Sequence, residues 1–176
     1  MRKTVLLFFL CALFLLNGCF RTWSEKRKKE FSEKCEQTEV LDGLTFFVTG
    51  FSFSERDSIL IKQMNNSLVI DSFYVHIRLS DSLRDRYSGW INKPVILNDT
   101  YYFIIPEEQT FVLSDMKMKI HPQFTMFSEG YGCQLQEYKI DGELNENRSN
   151  PDFRKKGYVF YWDRIKELKD LLGASH

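Results

Sequence analysis

The sequence contains no GxSxG elbow, HExxH pair, P-loop or GxGxxG turn, so the locally recognisable layouts for acyl transfer, zinc hydrolysis and nucleotide binding are missing. Internal histidine is limited to His76 and His121. The first falls on the polar face of a predicted strand and the second precedes Pro122, positions that suit surface residues better than a ligand or a base. No CxxC or Cys/His cluster supplies a metal site. Two carboxylate groupings exist, but Glu107-Glu108 follows Pro106 at a predicted turn and Asp81/Asp85 is interleaved with Arg84 and Arg86, so both read as solvated faces. The sequence therefore assigns no catalytic residue, cofactor or metal ligand, and an enzyme is not the favoured reading. Charge of one sign is also missing: 24 basic side chains face 24 acidic ones, and no field selects nucleic acid. Proline is scarce, at four, whereas aromatic residues make up 15%, a composition able to bury a core. No apolar run reaches the roughly 20 residues of a spanning helix, and there are no internal repeats.

The longest apolar run, Val5 to Leu16, follows Arg2 and Lys3 and ends in Leu16-Asn17-Gly18-Cys19. A positive start, a short apolar stretch and small residues before a cysteine make a signal segment, not an anchor. The motif resembles a bacterial lipobox. That resemblance implies cleavage before Cys19, lipid on its thiol, and a mature chain held at a membrane in an extracytoplasmic space. Each buried methylene of an acyl chain contributes about 0.8 kcal/mol, so the chains of a typical lipoprotein hold permanently. Asn17 is a less common choice at its position. Phe20 in place of Asp after Cys19 lacks the common inner-membrane retention signal, which implies an outer-membrane location facing the periplasm where two membranes exist. Cys11 leaves with the signal segment and Cys19 carries lipid, so Cys35 and Cys133 are the two thiols free to form a disulfide.

Residues 1–18 thus form the signal peptide, 19–40 a lipidated charged tether, and 41–176 a single β-rich domain. In the tether, Arg21, Lys26, Arg27, Lys28, Lys29 and Lys34 alternate with Glu25, Glu30, Glu33 and Glu36, which reads as a charged leash or frayed helix. From Leu44 onward the period is two. Phe73, Val75, Ile77 and Leu79 alternate with Ser72, Tyr74, His76 and Arg78, and Met116, Met118 and Ile120 with Lys117 and Lys119. Leu44 to Phe51, Asp57 to Gln63, Tyr101 to Ile105 and Cys133 to Ile140 complete the series, with an apolar phase shift between Leu135 and Tyr138 that predicts a bulge or a change of face. Ser54-Glu55-Arg56, Asn65-Asn66, Asn98-Asp99 and Asp141-Gly142 are turn signals. The expected fold is mainly β, an antiparallel β-sandwich of immunoglobulin-like or transthyretin-like topology. Residues 145–157 read as a mobile polar loop and Tyr158 to Trp162 as a strand. Ile165, Leu168, Leu171 and Leu172, after a cap at Asp163, predict a short C-terminal helix.

Asp57-Ser58-Ile59 and Asp81-Ser82-Leu83 match a bacterial O-glycosylation sequon, with turn or strand-entry residues as the plainer reading. Thr49-Gly50-Phe51, Asp57 to Lys62, Leu68 to Ser72 and Tyr101 to Pro106 are similar to a loose group of small uncharacterised bacterial lipoproteins. That resemblance spans residues 44 to 140, implies the β-rich fold and the address, and brings no functional residues. The leading expectation is a non-catalytic binding or accessory module of the cell envelope, bound to the membrane through lipid on Cys19 and recruiting an envelope protein or glycan, not nucleic acid. Tyr87, Trp90, Tyr101, Tyr131 and Trp162 are its candidate contact aromatics. The alternatives are a periplasmic inhibitor or immunity lipoprotein and a cell-envelope hydrolase.

Overall fold

The computed structural model describes residues 22–53, 57–81, 85–105, 109–125 and 128–158. They divide into two compact units, one drawn from Met1–Gln37 with Met118–Gln134, the other from Thr38–Lys117 with Leu135–His176. Cys19, the Ser54-Glu55-Arg56 and Glu107-Glu108 positions, and the helix predicted after Asp163 lie outside the described residues.

In the first unit the charged tract forms helix α1, Glu25–Glu36. Ser24 caps it by accepting the Arg27 N–H at 3.3 Å, and Glu25 and Lys34 match the helix dipole at the two ends. Lys28, Phe31, Ser32 and Cys35 recur at helical spacing and form its less exposed face, with Cys35 fully buried.

The second unit is mainly β. Its strands are β1 Val40–Leu41, β2 Leu44–Thr49, β3 Ser58–Asn65, β4 Leu68–Asp81, β5 Arg86–Ile91, β6 Val95–Ile96, β7 Thr100–Ile105, β10 Glu143–Glu146 and β11 Asp152–Arg154. Strands β8, Gln109–Phe124, and β9, Glu129–Ile140, contribute residues to both units. β1 and β6 form a two-stranded ribbon, and the other nine follow the order β10-β9-β8-β7-β3-β4-β5-β2-β11. The period of two is realised directly: Leu44, Phe46 and Val48, then Ile59 and Ile61, then Tyr101, Phe103 and Ile105 are buried. Leu135 and Tyr138 are both buried although an odd number of residues apart, as the phase shift requires. Asn66 and Ser67, then Asp141 and Gly142, have positive φ at the two central positions of two-residue hairpins, the geometry that follows the strand twist.

One pair departs from the all-antiparallel arrangement expected, since β11 runs parallel to β2 with Phe153 opposite Val48. It lies inside the stretch expected to be a mobile loop. The reason is Phe153, an isolated aromatic in polar sequence whose burial fixes the segment. Its ring centroid lies 4.2 Å from that of Phe103 and 5.3 Å from that of Phe111.

β4 explains how the sheet curls. Residues 68–76 pair with β3, and from Ile77 onward the strand pairs with β5. Phe46 of β2 and Phe103 of β7 then meet at 4.9 Å, although their strands are four places apart in the order. In a flat sheet they would be about 19 Å apart. At one margin Asp99, almost fully buried, accepts from the Gln63 and Asn65 amides, each at 2.6 Å. Removing that carboxylate would leave the Gln63 amide unpaired, at a cost of about 1–3 kcal/mol.

Candidate functional site

The strand register of the second unit collects guanidinium groups that are far apart in sequence. Thr49 on β2 is paired on one side with Arg86 of β5 and on the other with Arg154 of β11, so the three share one row. The next row on the same face is Ser88, Phe47 and Asp152. Phe46, Val48 and Phe153 alternate with these and point into the core, so Arg86, Phe47, Asp152 and Arg154 lie on the opposite face. Arg86 stacks over the Phe47 ring at 3.6 Å.

With Asn147, Arg148, Ser149 and Asn150 these side chains line a cavity of about 340 Å³. A neighbouring cavity of about 470 Å³ shares Arg148, Asp152 and Arg154 and adds Lys156, Asp141 and Glu143. The first holds three guanidinium groups and one carboxylate, a formal charge of +2. Asp152 is heavily committed: one oxygen accepts the Thr49 hydroxyl at 2.7 Å, and the other accepts Arg154 Nε and Nη2, each at 3.3 Å. Arg86 Nη2 stands 3.8 Å from that second oxygen, within ion-pair but not hydrogen-bond range. Arg86 Nε is buried and has no hydrogen-bond partner among the described residues. The arrangement is suited to holding an anion and carries no acid–base pair.

The first unit holds a second polar cluster. Glu129, 9% exposed, accepts the Tyr131 hydroxyl, the Trp23 backbone N–H at 3.1 Å and Lys28 Nζ at 3.2 Å. The Tyr131 hydroxyl, and then the Trp23 amide, hold its carboxyl below the usual range. Trp23 packs against Tyr131 and Phe31, and the Cys35–Cys133 disulfide closes the same unit with its Cα atoms 5.2 Å apart. This is an anchoring cluster, since the Trp23 and Lys28 bonds of Glu129 fix the entry and first turns of α1, while Tyr131 holds the carboxylate from within β9.

The residues expected to mark a contact patch scatter. Tyr101 is buried, its hydroxyl accepting the Ile96 N–H at 2.9 Å, and burial pushes its pKa up to about 12. Tyr87 packs on Phe53, Tyr131 belongs to the anchoring cluster, and Trp162 lies outside the described residues. Of the four described, Trp90 alone stands largely exposed, on β5. His76 and His121 are exposed on strands. Among the described residues no group of three or more His, Cys, Asp or Glu side chains is placed to share a metal ion, and no helix is long and apolar enough to cross a membrane. The guanidinium cleft carries no sequence signal, because Arg86, Arg148 and Arg154 have no common local motif: the pairing of β2 brings Arg86 and Arg154 into one row, and Arg148 comes from the segment between β10 and β11. No protein-family model, curated protein or solved structure matches this chain.

Proposed function

We propose that the protein is a lipid-anchored, extracytoplasmic binding module of the cell envelope, without catalytic activity, that holds an anionic group of its partner in the guanidinium cleft. The observation that carries the reading is the excess of two positive charges around Arg86, Arg148 and Arg154 beside a single committed carboxylate. The lipobox-like Leu16 to Cys19 and the pairing of Cys35 with Cys133 support the compartment, since disulfides persist in oxidising spaces. Asp71 and Glu129 are both held low by hydrogen bonds, Asp71 chiefly by Lys93 and Glu129 chiefly by Tyr131, which favours anchoring over acid catalysis. The proposal extends to fold type: the facing of β2 and β7 supports a sandwich, with immunoglobulin-like and transthyretin-like strand orders as the patterns to compare with an experimental structure.

The test is capture of the tagged full chain from bacterial membranes, with the mass of its N-terminal peptide. A diacylated Cys19 peptide, release of Cys19→Ser from the membrane pellet, and a stoichiometric partner lost with Arg148→Glu are the expected results. A bare Cys19, or a pelleting pattern unchanged by the serine, overturns the anchor. A partner retained in full by Arg148→Glu overturns the role of the cleft.

A further inference from the structure

The cleft has a chemical preference that its charge and donors specify. We infer that it is a phosphate site, taking the dianionic phosphoryl group of a phosphomonoester, with Arg86 and Arg148 as the principal donors; this rests on the binding reading above. Asp152 already neutralises one of the three guanidinium charges, so a monoanionic carboxylate ligand would leave a positive charge uncompensated, whereas a dianion closes the balance. The Arg86 guanidinium makes no hydrogen bond to any described residue, and with its side chain 27% exposed the part of it that reaches the cleft has donors to offer an incoming oxygen. Its plane is preset by the Phe47 ring beneath it, so little ordering remains to be done on binding. Arg148 is exposed and has no ion pair or hydrogen bond among the described residues, which leaves its planar fork available for bidentate contact. Asn147, Ser149 and Asn150 line the same cavity and are side-chain types that can donate to further oxygens of a tetrahedral group. One chemistry thus serves two sources, a soluble or polymeric phosphomonoester and a lipid headgroup that ends in one.

The full chain in nonionic detergent micelles is titrated calorimetrically with glycerol 3-phosphate at constant ionic strength, with acetate as the comparator. Saturable heat with glycerol 3-phosphate and none with acetate is expected. Arg148→Ala, which removes an exposed side chain and should leave the melting temperature unchanged, is expected to weaken binding about tenfold. Acidification from about pH 7.5 to about pH 5 should weaken it by a similar factor, because the second phosphate pKa is about 6 and the dianion is lost. Micelles doped with phosphatidic acid separate the sources: suppression of the glycerol 3-phosphate heat assigns a lipid headgroup, and an unchanged heat assigns a soluble or polymeric phosphate. Equal heats for acetate and glycerol 3-phosphate, no saturable heat, or an affinity indifferent to Arg148→Ala overturns the inference. If partner capture still depends on Arg148 after such a result, the binding module stands and only the phosphate assignment falls.

Discussion

Glu129 shows how one side chain is fixed by groups from distant sequence. Its Trp23 partner is 106 residues away along the chain, so nothing local to Glu129 announces the bond. The folded pKa lies below the ordinary carboxylate value, so the stabilisation is present in full above that value and is lost as pH falls through the lowered one. The Trp23 amide resonance should therefore shift on acidification at a pH below that of a free glutamate. Glu129→Gln should abolish the shift and lower the melting temperature at neutral pH; a titration unchanged by the substitution would refute the anchoring role. The guanidinium cleft was hidden for the same reason. In sequence Arg86 belongs to a solvated face and Arg154 to the polar stretch over 145–157, and only their common register with Thr49 brings the two together.

Strands were the legible elements, because alternation is written into the chain wherever one face is covered. Thr100–Ile105 is one residue from the expected range, and one two-residue hairpin falls at the signalled Asp141-Gly142 while the other, Asn66-Ser67, is one residue beyond the signalled Asn65-Asn66. Coverage, which alternation cannot report, decided the rest. Val75 and Ile77 are buried as their phase requires, yet Leu79 on the same face is 55% exposed, beyond the point where β4 changes partner. Leu68, Val69 and Ile70 form an exposed apolar run at the start of that strand. β11 was illegible, since three residues with one aromatic carry no period. Gly89 on β5 supplies the sharpest element-level prediction. It is paired with Phe46, and an added Cβ would sit 2.2 Å from the Phe46 ring, itself fully buried in the core. Gly89→Ala should thus lower the unfolding free energy by about 1–3 kcal/mol in a denaturant titration, through overpacking of that ring. A loss below the lower figure would mean that Phe46 has room to move.

For the molecule as a whole, the Cys35–Cys133 bridge sets the long-range constraint. It closes 98 residues of sequence separation, for which the chain-entropy account gives about 4–5 kcal/mol as an upper figure. Thermal unfolding with and without a reductant should show a clear fall in the melting temperature, reproduced by Cys133→Ser without reductant; identical melting curves would assign the bridge no thermodynamic weight. The sequence made this pairing legible by elimination among four cysteines, whereas the ligand of the cleft had no such arithmetic behind it.

The parallel docking of β11 bears on how the chain acquires its fold. Phe46, Phe103 and Phe111 exist early in synthesis, but the ring that fills the space among them comes with residue 153. Until residue 153 has emerged, the space among those rings lacks the side chain that fills it. A protein released from a secretion channel from its N-terminus onward would thus complete its folding only on the far side.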